Sequence, residues 1–314
     1  MIPLPDALRT SCPLNYDSPL ALKAFLDARG LGMRKQFGQN FLINRDARRA
    51  LLDALDLKRG QGVWEIGSGL GAMTWGLLER GLSVKAFERD PGFIRVLSDF
   101  FGGHPGFCLV KGDVLKTWPQ AGEEGYLLGN LPYTIGSHLL GTFIERKRFF
   151  TRMVIVLQRE LVRRMGARPG SKDYSSFSVL CTAAYTLKPL KVLKGSSFYP
   201  VPHVDSQGIR LDLRTDGDLR AYPPCFSPLV RQLFASRRKT LRHNLYGFVL
   251  SYILGKPERA GCREAVQITE DALERCRIPG NTRAEVLGPE DFLALAGVLE
   301  WSKAPQALAK QGGS

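Results

Sequence analysis

Four consecutive residues, Asn130-Leu131-Pro132-Tyr133, carry the densest chemistry in the chain. They close an apolar run, Tyr126-Leu127-Leu128-Gly129, that reads as a short buried strand. Pro132 cannot donate to a strand ladder, so the chain must turn there. The turn sets Asn130 at the carboxyl edge of a sheet, where open α/β sheets bind ligands. Asn130 offers an amide oxygen, Leu131 a backbone carbonyl that the turn leaves unpaired, and Tyr133 an aromatic face. Two acceptors and a stacking ring suit a planar amino group with two hydrogens, such as that of adenine. Asn and Pro also form ordinary turns, so the tetrapeptide takes its meaning from its company.

That company is three strand ends upstream. Val63-Trp64-Glu65-Ile66 runs into Gly67-Ser68-Gly69-Leu70-Gly71-Ala72, a glycine-rich turn followed by a helical pattern through Thr74, Leu77 and Leu78. Glycines let a ligand approach the backbone, and the helix amino end aims free N–H groups at it. The loop fits the dinucleotide fingerprint only loosely and is a weak sign alone. Ser83-Val84-Lys85-Ala86-Phe87 ends in Glu88, an acid placed to accept hydrogen bonds from ribose hydroxyls. Cys108-Leu109-Val110-Lys111-Gly112 ends in Asp113, which can meet an adenine amino group. Each acid alone reads equally well as a helix cap. Three such ends followed by Asn130 point to a nucleoside-bearing cofactor.

The elements that must position these residues alternate in type. Strand and helix patterns succeed one another from about residue 45 to 190, as a doubly wound, Rossmann-like α/β sheet requires. Met153–Gln158 is a further buried strand, and Lys191–Leu193 and Ile209–Leu213 read as a closing pair. Ser18–Ala28 reads as a short amphipathic helix within an N-terminal extension, residues 1–30. The sheet domain is expected over 31–215, with Asp216–Pro224 as linker. Helix spacing in Val230–Phe234, Leu241–Leu250, Asp271–Cys276 and Asp291–Leu299 predicts a small all-helical domain over 216–303. The Ala/Gln/Gly/Ser-rich tail, 304–314, is expected to be disordered.

The order of motifs resembles the ribosomal RNA adenine dimethyltransferases, the KsgA group, which use S-adenosylmethionine. The likeness runs from about Tyr16 to about Leu295 and rests on seven elements in order. Lys35-Gln36-Phe37-Gly38-Gln39-Asn40-Phe41-Leu42 is similar to the family's amino-terminal signature, Glu65–Gly71 to its glycine loop and Glu88 to its ribose-binding acid. Gly112-Asp113-Val114-Leu115 is similar to its adenine-edge motif and Asn130–Tyr133 to its catalytic box. Phe198-Tyr199-Pro200-Val201-Pro202-His203-Val204-Asp205-Ser206 and Phe234-Ala235-Ser236-Arg237-Arg238-Lys239-Thr240-Leu241 are similar to its two later elements. Some positions depart from the pattern. Ser68 stands where Pro is usual, which at this level costs rigidity and no functional group. Thr134-Ile135-Gly136 follows the box, and Gln207-Gly208 follows the V-D-S segment.

The resemblance implies dimethylation of the 6-amino groups of two adjacent adenines, in a hairpin loop near the 3′ end of 16S rRNA. Glu65, Gly67 and Gly69 would lie at the methionine end of S-adenosylmethionine, Glu88 at its ribose and Asp113 at its adenine. Val114 would pack on that adenine, and Asn40 and Leu42 would cover the site. An adenine amino nitrogen is a poor nucleophile, because its lone pair is delocalised into the ring. It becomes acidic only after gaining the methyl, so alignment and amino-hydrogen acceptors matter more than a strong base. Asn130 and the Leu131 carbonyl fit that role, with Pro132 shaping the turn. The target base must leave its stack at a cost of a few kcal/mol, and stacking returns about 1–3 kcal/mol per base. Tyr133 gives one stacking face and Phe198, by resemblance, the other; Phe198 as a plain core residue is the alternative.

Charge agrees with a nucleic-acid partner. The 314 residues carry 44 Lys and Arg against 30 Asp and Glu, a formal charge of +14 that suits a polyanion. Arg146, Lys147, Arg148 and Arg152 follow the catalytic box, with Arg159, Arg163 and Arg164 beyond. Arg231, Arg237, Arg238, Lys239 and Arg242 form a second cluster, and Arg29, Arg34 and Lys35 a third. Together they suit a groove that tracks a phosphate backbone, giving affinity that falls with salt. Six cysteines without C-x-x-C spacing predict reduced thiols in a cytoplasmic protein and no metal site. No apolar span is long enough for a membrane, the first fifteen residues suit no targeting signal, and a monomer is expected. Three other readings stay open: a large-subunit rRNA methyltransferase of the antibiotic-resistance type, a nucleotide-dependent oxidoreductase, and a catalytically idle RNA-binding assembly factor. The Arg237–Leu241 element favours the small-subunit branch, the Asn130 box is unexplained by the second reading, and intact Asn130, Glu88 and Asp113 oppose the third.

Overall fold

The computed structural model describes residues 12–32, 40–122, 124–131, 135–215, 222–255 and 262–311, with 301–311 as backbone only. Pro132, Tyr133 and Thr134, residues 35–39 of the Lys35–Leu42 signature, and 216–221 of the expected linker lie outside the described residues. Two compact units divide the chain. One comprises Met1–Leu140, Phe149–Val162 and Thr186–Leu213; the other comprises Gly141–Arg148, Arg163–Tyr185 and Arg214–Ser314.

The first unit holds nine strands: β1 (Phe41–Leu42), β2 (Gly62–Ile66), β3 (Ser83–Glu88), β4 (Phe107–Lys111), β5 (Tyr126–Asn130), β6 (Arg152–Gln158), β7 (Tyr185–Leu193), β8 (Phe198–Tyr199) and β9 (Ser206–Leu213). Seven of them form one sheet in the order β4-β3-β2-β5-β6-β9-β7. The pairings from β4 through β6 are parallel, and β9 runs antiparallel to β6. Met153–Leu157 of β6 are all buried, as a strand covered on both faces requires. The chain builds outward from β2 to β3 and β4, then returns to add β5 and β6 on the other side. The order therefore reverses between β2 and β5, which opens a crevice at their carboxyl ends.

Several helices of this unit start where side-chain acceptors meet apolar spacing. They are α1 (Pro19–Ala28), α2 (Arg45–Leu55), α3 (Ala72–Glu79), α4 (Pro91–Phe101) and α5 (Val114–Thr117), with α6 (Gly136–Glu145) and α7 (Arg159–Met165) beginning here. Ser18 accepts from the Ala21 amide, Asn44 from Ala47, and Asp90 from Gly92 and Phe93. Leu22 and Leu26 of α1 pack with Tyr16, Leu70, Phe93 and Val96, and the Tyr16 hydroxyl donates to the Leu70 carbonyl at 2.9 Å. The described part of the expected N-terminal extension is thus integral to the sheet unit, because its apolar face needs the glycine loop and α4 for cover.

Arg152 departs from its expected place in a phosphate-tracking cluster. Its guanidinium donates to Asp212 at 2.7 Å, to the Leu55 carbonyl at the end of α2 at 2.8 Å, and to Asp56 at 3.1 Å. Arg210 and Lys188 join Asp212 at 2.9 and 3.3 Å. Burial alone would raise the Asp212 carboxyl, but the hydrogen bonds from Arg152, Arg210 and Lys188 outweigh it and hold the group below its ordinary value. An acid depressed in the folded state stabilises the fold above its unfolded pKa, and that stability is lost as pH falls through the folded value. Asp212→Asn is therefore expected to lose about 2 kcal/mol at neutral pH. It should also show a flatter loss of stability in acid, read by urea unfolding between neutral pH and pH 3.

The second unit is helical, as expected, but begins earlier in the sequence. It holds α8 (Ser176–Ala184), α9 (Phe226–Ala235), α10 (Leu241–Phe248), α11 (Arg263–Arg275) and α12 (Pro289–Gln311). The Tyr174 hydroxyl donates to the Leu287 carbonyl at 2.8 Å, and its ring meets Phe234 edge-on at 5.8 Å. These contacts draw 163–185 away from the expected 31–215 domain. The helix α12 continues to Gln311, past the expected start of a disordered tail. Beyond Pro305, residues such as Ala307, Leu308, Ala309 and Lys310 are strong helix formers, which composition alone disguised.

Candidate active site

The crevice at the β2/β5 reversal is a pocket lined wholly by residues of the first unit. The register of β2 and β5 pairs Glu65 with Leu128 and Ile66 with Gly129, so Asn130 ends beside the start of the glycine loop. Gly67, Gly69 and Gly71 have φ of 77°, 56° and 89°. A side chain at Gly71 would collide with the Phe101 ring, and one at Gly69 would meet the Phe41 ring at 3.2 Å. Glycine is therefore required at both positions by conformation and by space.

Each expected cofactor residue that is described lines this pocket: Asn40, Leu42, Glu65, Gly67, Gly69, Glu88, Asp113, Val114 and Asn130, with Leu131 beside them. Glu88 accepts from the Gly69, Arg89 and Asp90 amides, each at 2.8 Å. Burial raises its carboxyl, and these hydrogen bonds oppose the rise. One Asp113 oxygen accepts from the Leu115 amide at 3.0 Å and caps α5, leaving the other for a ligand. The Asn130 Nδ2 donates to the Asn40 carbonyl at 2.9 Å, so Oδ1 is the atom left to accept. Antiparallel pairing of β1 with β8 holds the Asn40–Leu42 segment in place.

Buried acids at a glycine loop, Asp113 and the oriented amide of Asn130 thus share one pocket. A family model described as ribosomal RNA adenine dimethylase matches residues 30–275. The chain belongs to that family. Ribosomal RNA small subunit methyltransferase A of Treponema denticola is 39% identical over 293 residues, covering 91% of this chain and 96% of that protein. The protein of the same name in Borreliella afzelii is 35% identical over 271 residues, covering 82% and 95%. A solved dimethyladenosine transferase from Plasmodium falciparum superposes with a TM-score of 0.66 at 25% identity, covering 80% of this chain and 94% of its own.

This dimethylase-family chain departs from one expectation at the site. Phe198 is 1% exposed and belongs to the core cluster with Leu42, Leu51 and Val156, not to the pocket wall. Its pairing with Leu42 across β1 and β8 turns the ring inward, so it presents no face to a base in this arrangement. Pocket residues Tyr16, Phe41 and Phe93 had no role in the sequence reading, nor did Thr74, which supports Glu65 from behind the pocket wall. Thr74 is fully buried in an otherwise apolar helix, and its hydroxyl donates to Glu65 Oε2 at 2.5 Å. A polar residue inside an apolar helical pattern was the available signal. Tyr16 left none, because only the folded N-terminal segment brings it to Leu70.

Glu65 is 3% exposed. Burial pushes its carboxyl up to about 7 from an ordinary 4.5, against hydrogen bonds from Thr74. The folded state then binds more protons than the unfolded chain between those values, so ligand-free stability falls as pH rises through that window. A cationic ligand group favours the ionised acid. Its affinity is therefore expected to rise with pH toward neutrality and level off above, read by calorimetric titration from pH 5.5 to 8.5. Glu65→Gln should flatten both trends.

Of the expected RNA-contact residues, Arg146, Lys147, Arg148, Arg237, Arg238 and Lys239 fall in the helical unit. Arg146, Arg238 and Lys239 are exposed, while Lys147 donates to the Tyr222 carbonyl at 2.9 Å and Arg148 is half-buried. Arg237 pairs with Glu285 at 3.1 Å, Arg242 with Glu270, and Arg231 with Glu145. Those three carry local counter-charge and weigh less in a phosphate track than sequence counting implied.

Proposed function

We propose that the protein transfers two methyl groups from S-adenosylmethionine to the 6-amino group of each of two adjacent adenines near the 3′ end of small-subunit rRNA. The observation that carries the reading is the register that sets Asn130 beside the glycine loop, with Nδ2 tied to Asn40. The pocket's donor set fits the cofactor: acids for its ammonium and ribose, Asp113 for its adenine edge, and Val114 as an apolar face. When bound, the cofactor supplies an electrophilic methyl on a sulfonium. Asn130 Oδ1 and the Leu131 carbonyl accept the amino hydrogens and favour a more tetrahedral nitrogen, which aligns its lone pair with that methyl. After transfer the nitrogen sheds a proton without a strong base. Tyr133, next to this pair in sequence, stacks on the flipped base.

Arg146, Arg238 and Lys239 contact phosphates, and a monomer acting on the small-subunit precursor in the cytoplasm is the natural form. The six free cysteines accord with a reducing compartment, and no helix among the described residues is long and apolar enough to cross a membrane. The test supplies labelled S-adenosylmethionine with either unmethylated small subunits or naked large-subunit RNA. Label in the small-subunit RNA is expected. Label in the large-subunit RNA alone would overturn the assignment.

A further inference from the structure

A buried arginine stands behind the cofactor pocket. Arg48, on α2, is 9% exposed and lines a second cavity, between the N-terminal segment, α2 and α3. Its guanidinium donates to the Leu42 carbonyl at 2.7 Å and to the Asp17 carboxylate, and Nη1 reaches the Tyr16 carbonyl at 3.5 Å. Those acceptors belong to two separate segments, one ahead of α1 and the other β1. Both segments put side chains into the cofactor pocket, Tyr16 from the first and Phe41 and Leu42 from the second. Each has a further tie to the site: the Tyr16 hydroxyl donates to the Leu70 carbonyl at 2.9 Å, and the Asn40 carbonyl accepts from Asn130 Nδ2 at 2.9 Å. A buried ion pair is weak evidence for net stability, since apolar side chains of equal volume often do as well. A guanidinium differs from them in its rigid fork, which aims donors in several fixed directions at once. Asp17 does not depend on Arg48 for its counter-charge, because Arg45 Nε donates to it at 2.6 Å.

We propose that Arg48 is a positioning residue for the cofactor, joining the Tyr16–Asp17 segment to β1 and so holding two parts of the pocket lining at the spacing that retains S-adenosylmethionine. It touches no reacting atom and acts through Tyr16 and Leu42. With the fork in place the two segments move as one, and bound cofactor leaves only when both give way. This rests on the cofactor pocket proposed above.

The test compares wild type, Arg48→Met and Arg48→Lys in cofactor titration, cofactor dissociation after rapid mixing, steady-state kinetics and ligand-free melting. Met keeps an apolar stem and removes the donors. Arg48→Met is expected to weaken S-adenosylmethionine binding and raise its KM about tenfold, mainly through faster dissociation. At saturating cofactor kcat should change less than about twofold, because Asn130 keeps its bond to Asn40. Lys keeps the charge on one compact head and serves one segment at a time. Arg48→Lys should therefore recover most of any lost ligand-free Tm while cofactor still dissociates fast, a split that a merely structural charge would not give. Wild-type affinity in Arg48→Met, whatever its Tm, would overturn the proposal, as would wild-type dissociation from Arg48→Lys. Should Arg48→Met fail to fold, the dissociation rate of Arg48→Lys decides alone. Wild type that binds no S-adenosylmethionine would instead overturn the cofactor pocket itself.

Discussion

Asn130→Ala is expected to lower methyl transfer by about two to three orders of magnitude, the loss typical when one preorganised polar group at the reacting centre is removed. The structure gives two reasons. Among the described residues, the amide is the side chain at the end of β5 that lines the pocket with an oriented acceptor, and its Nδ2 is already committed to the Asn40 carbonyl. Truncation thus removes the acceptor for an amino hydrogen and also frees the N-terminal segment that covers the site. The damage should fall mainly on kcat, since Glu65, Glu88 and Asp113, the acids proposed to hold the cofactor, stay in place. Single-turnover transfer with cofactor saturating separates the two effects. Wild-type kcat in that assay would sink the catalytic assignment.

Glu88→Ala is expected to act on the other side of the reaction. The carboxylate holds three backbone amides, those of Gly69, Arg89 and Asp90. Its removal leaves those donors without their acceptor and takes away the expected ribose contact. Cofactor affinity should fall about a hundredfold, as expected from losing charge-assisted hydrogen bonds. The ligand-free Tm should drop by about 5 °C, because the glycine loop loses its anchor. Glu88→Gln keeps an acceptor and should retain much of the stability while still binding cofactor poorly. Calorimetric titration and thermal unfolding read both quantities. A fall in kcat with unchanged affinity would contradict the role given to Glu88.

Much of this site is visible in the chain because strand ends punctuate themselves. An apolar run that stops at Gly67, at Glu88, at Gly112-Asp113 or at Asn130-Leu131-Pro132 can only turn, and parallel strands turn at one edge of a sheet. The seven-strand order then brings four separated segments to one crevice. What local pattern does not hold is burial at long range. Phe198 reads as an available aromatic in its loop, yet pairing with Leu42 carries it into the core. Arg152 reads as one more positive charge, yet it ties β6 to the end of α2 through Leu55 and to β9 through Asp212. Tyr174, inside the sheet domain as read from sequence, joins Leu287 and Phe234 and moves its segment into the helical unit. Each difference is set by a partner far along the chain.

The most direct check on the account is nucleoside analysis of small-subunit RNA after reaction with wild type and with Asn130→Ala. Two dimethyladenosines per subunit with wild type, and neither with the variant, are the predicted result. Monomethyladenosine alone from wild type, or dimethyladenosine from both proteins, would contradict it.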